Sequence, residues 1–175
     1  GAVMVAGEET PWAERRAALL RQAGEAAQAQ EARDGAAIHL LLVALRGEHY
    51  GFPLDRVREV VKPAPITPVP SIPEHILGVM NLRGEILPVL DLTRLLGLGA
   101  GAAMPQGRIV VVKSPGMAVG FLADSVEDAI EVLGTLEPPL ATLPEGQAQY
   151  LQGQVAHEDR LVGVLNVEAL LARRE

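Results

Sequence analysis

The sequence predicts a mainly β fold. Two packed, small five-stranded β-barrel subdomains are related by an internal repeat, with short helices and an N-terminal helix. Three observations carry this expectation. Apolar and polar residues alternate with period two in short runs bounded by turn residues, as half-buried strands require. Gly51-Phe52, Asp55 and Val57 return as Gly120-Phe121, Asp124 and Val126, each 69 residues on. Asp91-Leu92 and Leu95-Leu96 return as Asn166-Val167 and Leu170-Leu171, now 75 on. Two copies are too few for a solenoid, and closing each into a barrel removes free strand edges.

The elements follow in order. A chain opening on glycine is not a native start, so Met4 is expected to be the initiator, with Gly1 to Val3 foreign to it. Residues 1–35 form an extension in which Thr10-Pro11 opens a helix with a capping hydroxyl and an N1 proline. The following residues, to Arg33, are rich in Ala, Glu, Gln and Arg, which favour helix. The apolar face is thin, comprising Trp12, Leu19, Leu20 and alanines. Either this is a solvated helix outside the core, or Trp12, Leu19 and Leu20 dock on the domain or on a partner.

Residues 36–175 form the β domain, divided into halves 36–100 and 101–175, the second closing on the first. Ile38 to Leu45 is a nearly continuous apolar run, as in a strand covered on both sides. Arg46-Gly47-Glu48 turns, His49 to Leu54 returns, and Val57 to Lys62 follows as a third strand. Pro63, Pro65, Pro68, Pro70 and Pro73 then forbid regular structure, leaving an extended connector tacked down by Ile66, Val69 and Ile72. Val79 to Arg83 alternates as a strand, Arg83-Gly84 turns, and Ile86 to Leu90 returns. Asp91 caps a short helix burying Leu92, Leu95 and Leu96. Gly97 to Gly107 is the boundary between halves, after which Arg108 to Lys113 and Met117 to Ala123 form a hairpin. The inserted residues of the second copy fall between Gly134 and Gln149, and Asn166 caps the last helix as Asp91 caps the earlier one.

Composition excludes several functions. A net charge of −7 and 3% aromatic residues argue against nucleic acid, which needs cationic surface or stacking platforms. With no cysteine, disulfides and thiolate metal sites are absent, in keeping with a cytoplasmic protein. No stretch approaches the ~20 apolar residues of a membrane-spanning helix, so no direct membrane insertion is expected. His39, His49, His75 and His157 lie at no metal-ligand spacing, and Ser71, Ser114 and Ser125 sit in no nucleophile elbow. Glu127-Asp128 is an acidic pair, but strand neighbours point to opposite faces and cannot act together. No catalytic residue, metal or cofactor is assigned, and the chain is not read as an enzyme.

Three motifs are more specific. These are VREVV (Val57 to Val61), ITPVP followed by ILGVMNLRGEILPVLDL, and VGFLADSVEDAIEV in the second half. In this order they resemble the CheW-like family of bacterial chemotaxis adaptors over roughly residues 38 to 172. The resemblance implies two β-barrel subdomains about a pseudo-twofold. It also implies a scaffold coupling the cytoplasmic tip of a chemoreceptor to the regulatory domain of a CheA-type histidine kinase. Such a scaffold would be cytoplasmic and recruited to membrane-associated receptor arrays.

Carried over residue by residue, receptor binding falls to Val57, Glu59, Val60, Gly78, Gly120 and Val126, and a kinase or signalling contact to Arg83. Each valine reads equally as strand core, and Arg83 as a solvated hairpin tip. Glu59, an acid between valines, must reach solvent or a partner. The N-terminal helix is a departure from the family pattern, as is Ala123-Asp124-Ser125-Val126 where relatives often read V-D-x-V. The alternative is an interaction module outside the kinase array, a motility or polarity adaptor modulated by that helix.

Overall fold

Alternating sequence becomes β-structure throughout the computed structural model, which describes residues 14–19, 37–99, 107–134, 136–138 and 146–174. Residues 14–19 are helical (α1). Strands β1 (Ala37–Leu45) and β2 (Glu48–Pro53) form a hairpin, and a 3-10 turn (Leu54–Arg56) leads to β3 (Val57–Val61). Next come β4 (Ile66–Thr67), β5 (Ile76–Leu82), β6 (Glu85–Asp91) and α2 (Leu92–Leu95). The second half supplies β7 (Arg108–Val112), β8 (Val119–Ala123), β9 (Ser125–Leu133), β10 (Leu151–His157), β11 (Arg160–Leu165) and α3 (Val167–Leu171). The turn at Arg83-Gly84 has positive φ at both residues, and the Asn81 side chain accepts from the Gly84 amide at 3.0 Å. Asp91 and Asn166 cap their helices by accepting from Arg94 N and Ala169 N.

The strands form two sheets, in the orders β10-β11-β2-β1-β9 and β3-β7-β8-β6-β5-β4. Each sheet draws on both halves of the repeat. The β1–β2 hairpin joins the second half through parallel β2–β11 pairing, and the β7–β8 hairpin joins the first through parallel β8–β6 pairing. The registers match: Gly51 faces Val164 in one sheet and Gly120 faces Val89 in the other.

Packing explains the repeated Gly-Phe. A Cβ on Gly51 would lie 2.8 Å from Leu40 Cδ1, and one on Gly120 would lie 2.6 Å from Ile109 Cγ2. Each glycine therefore leaves room in its own sheet's core. The phenylalanines point the other way, into a core shared by both sheets, where Phe52 and Phe121 meet at 5.9 Å between ring centroids. Three apolar clusters result: the large shared core, one around Leu40 and Val164 in the five-stranded sheet, and one around Val89 and Ile109 in the six-stranded sheet.

Two expectations change. Among the described residues neither sheet closes into a barrel; in the five-stranded sheet, Glu137 forms a single bridge to Gln154. The other sheet has a sixth strand, β4, inside the proline-rich connector. Ile66 and Thr67 lie between Pro65 and Pro68, and their register with Met80 and Val79 makes a short edge strand.

Candidate functional site

Glu59 faces Val111, Val111 faces Gly120, Gly120 faces Val89, and Val89 faces Gly78. Three residues that the resemblance assigns to receptor binding therefore lie on one lateral row across five strands. Gly120 is required by Ile109. Gly78 has φ +144, and a Cβ there would overlap the Thr67 carbonyl, with the carbonyl carbon at 2.8 Å. Both glycines are thus fixed by close approach of β4 or of core side chains.

Glu59 ends the row on the edge strand β3, where a bulge between Val57 and Glu59 leaves Arg58 without a cross-strand partner. The expectation that Glu59 must reach solvent or a partner is met within the chain. Its side chain is only 14% exposed and accepts from Arg83 at 2.6 Å and Arg58 at 3.1 Å, while Arg58 also pairs with Glu85 at 3.1 Å. Burial acts to raise the Glu59 carboxyl pKa, but the bonds and charges of Arg83 and Arg58 outweigh it and hold the carboxyl below its usual range. Arg83, at the exposed hairpin tip, is raised chiefly by its bond to Glu59.

A second bulge, in β9, lies at the equivalent repeat position and sets aside Glu127. Arg58 and Glu127 are 69 apart, and Glu85 and Arg160 are 75 apart, the two repeat spacings. The pair Arg58–Glu85 accordingly has a counterpart of inverted sign in Glu127–Arg160, at 3.6 Å, with His49 also 2.7 Å from Glu127. Asp128, the counterpart of Glu59, pairs instead with Arg15 of α1 at 3.9 Å. Glu127 and Asp128 have separate partners, as strand geometry predicts.

The valines belong to the shared core. Val57 and Val60 are fully buried and Val126 packs against the same cluster. Leu19 of α1 is buried in it too, so the thin apolar face docks on the domain at this residue; Trp12 and Leu20 lie outside the described residues. Arg16 is buried beside it and donates from its guanidinium to the Val57 carbonyl. Sequence reasoning missed Arg16, though it stands three residues before Leu19 on the same helix face, and missed the contact of Asp128 with α1, weighing that residue only as one of an acidic pair. It also missed the Tyr50 hydroxyl, which donates to Glu48 and accepts from Gln147 and Arg173. A cavity of about 360 Å³ beside Tyr50 is lined by Gln147, Gln154 and Arg160. The amide of Gln147 there is committed inward, to Tyr50 and the Leu96 carbonyl.

Comparison with known proteins agrees with this architecture. The family model described as the CheW-like domain matches residues 39–175. The chemotaxis protein CheW of Helicobacter pylori is 35% identical over 127 residues, 72% of this chain and 76% of that protein. Protein FrzA of Myxococcus xanthus is 36% identical over 125 residues, covering 69% and 77%. The crystal structure of the scaffolding protein TtCheW from Thermoanaerobacter tengcongensis superposes with a TM-score of 0.68 at 30% identity, covering 77% of this chain and 88% of that one. With the motifs, the exchanged hairpins and this match in agreement, the chain belongs to the CheW-like domain family.

Proposed function

We propose that this chain is a non-catalytic scaffold coupling the cytoplasmic tip of a chemoreceptor to the regulatory domain of a CheA-type histidine kinase. The observation that carries the reading is the 2.6 Å ion pair between Glu59 and Arg83. It links the residue assigned to receptor contact with the residue assigned to signalling contact, one 14% and the other 66% exposed. A helix engaging the β3 edge would disturb Glu59, and the charge freed on Arg83 would be felt at the hairpin tip. Ile86, 59% exposed on the return strand, adds apolar surface beside that tip. Glycines at 78 and 120 support the site by letting strands approach, rather than by touching the receptor.

Calorimetric titration with the regulatory domain of the same organism's CheA-type kinase tests the reading. Saturable binding at micromolar strength, about −8 kcal/mol, is expected, weakened by Arg83→Ala. A folded protein that gives no saturable heat would move the chain to the alternative, an adaptor outside the kinase array.

A further inference from the structure

We propose that the helical segment 14–19 occupies, in cis, the surface that takes the receptor helix, and so acts as a built-in competitor for it. This rests on the receptor-coupling reading above. The segment spans the two halves of the molecule. Arg16 donates to the Val57 carbonyl on β3, and Arg15 pairs with Asp128 on β9. Strands β3 and β9 are edge strands of different sheets, and the two contacts fall beside the two equivalent bulges. Leu19, one turn along the same face, enters the cluster that holds Val57 and Val60 and against which Val126 packs. Those three valines are half of the residues assigned to receptor binding. Two helices cannot pack at once on the same stretch of β3 and β9.

The contact is suited to displacement. Of its two cations, Arg15 is half-exposed and held at the long distance of 3.9 Å, where a surface ion pair contributes little. Arg16 is buried, yet among the described residues its Nε has no hydrogen-bond partner, so the segment sits with an unmet polar group that an incoming helix need not reproduce. A cover that served only to hide the β3 and β9 edges would gain nothing from this orphan. A competitor has to be replaceable.

The test uses the full chain and a soluble helical-hairpin fragment of a chemoreceptor tip. Affinity is measured for the natural sequence, for Leu19→Asp and for Arg16→Gln, with amide hydrogen exchange followed at residues 14–19. Release of the segment should raise the apparent affinity by the inverse of the open fraction, about tenfold where a tenth of the molecules are open. Adding the tip to the natural chain should increase exchange at 14–19. If Leu19→Asp proves unstable, Arg16→Gln, which keeps a polar side chain and the apolar contact, carries the comparison alone. A tip that binds all three proteins equally, with exchange at 14–19 unchanged, overturns the competitor while leaving receptor coupling intact. A tip that binds none of them overturns both. A tip that binds the variants but not the natural chain supports both.

Discussion

Gly78→Ala isolates the close approach that fixes the end of the Glu59 row. At φ +144 an L side chain is strained by about 1–3 kcal/mol. The new Cβ would also overlap the Thr67 carbonyl, with that carbonyl's carbon at 2.8 Å and Pro68 Cα at 3.0 Å. All of these are backbone atoms, so no rotamer change relieves the clash. The two-residue strand β4 must leave β5, giving up its pairing at Met80 and Val79. Losing two hydrogen bonds adds about 0.5–1.5 kcal/mol each. The total is roughly 2–6 kcal/mol, a large part of the ~5–15 kcal/mol that holds a domain together. Urea unfolding should show this loss, and the melting temperature should fall by roughly 5–15 °C. Gly84→Ala is the control: its φ is +84, but nothing lies within 4 Å of a Cβ there, so only about 1–2 kcal/mol of strain is expected. Equal losses at the two positions, or a loss below about 1 kcal/mol for Gly78→Ala, would refute the steric argument. If, as proposed, the glycine supports the site without contacting the receptor, receptor binding by Gly78→Ala should follow its folded fraction.

Other expectations concern the polar networks. A double-mutant cycle on Glu59→Ala and Arg83→Ala should give a coupling of about 0.2–1 kcal/mol, because Arg83 is largely solvated; a coupling above about 3 kcal/mol would mean that the pair behaves as a buried one. Since Glu59 is held below its ordinary pKa in the folded state, its contribution is full above the unfolded value of 4.5 and is lost as pH falls through the folded one. Glu59→Gln should therefore flatten the acid limb of stability against pH, and an unchanged limb would show that other carboxyls set it. Burial first, then Glu48, raises the Tyr50 hydroxyl above its usual range. The folded state thus keeps a proton that the unfolded chain releases near pH 10, and stability should decline above about that pH. Tyr50→Phe should remove that alkaline slope while costing about 1–3 kcal/mol at pH 7, as Gln147 and Arg173 lose an acceptor. Urea midpoints from pH 7 to 10.5 would decide it.

Much of the fold was legible because its signals are local. Period-two alternation marked the strands, Arg83-Gly84 the hairpin, and Asp91 and Asn166 the helix caps, each set by neighbours within a few residues. The proline-rich connector was read too strictly, since Ile66 and Thr67 keep their amides between two prolines and need only one neighbour. The site was legible in part. Glu59 stood out as a charge among valines, but its partners Arg83 and Arg58 depend on a bulge and on a hairpin 24 residues away, which no local pattern specifies.

The sequence by itself determined the strand content, the repeat and the family motifs, because burial pattern, turn chemistry and capping are properties of short stretches. Tertiary structure alone decided which sheet each hairpin joins. The Gly-Phe pair can face inward from either half, and only packing shows that each hairpin crosses over, so that Phe52 and Phe121 meet in a shared core. It also decided the inverted charge pairs at the two bulges, and the contacts of α1 with two edge strands, Arg16 to β3 and Arg15 to β9. These depend on residues tens of positions apart arriving at one place, where the free energy of burial is shared among elements that separately have no reason to meet.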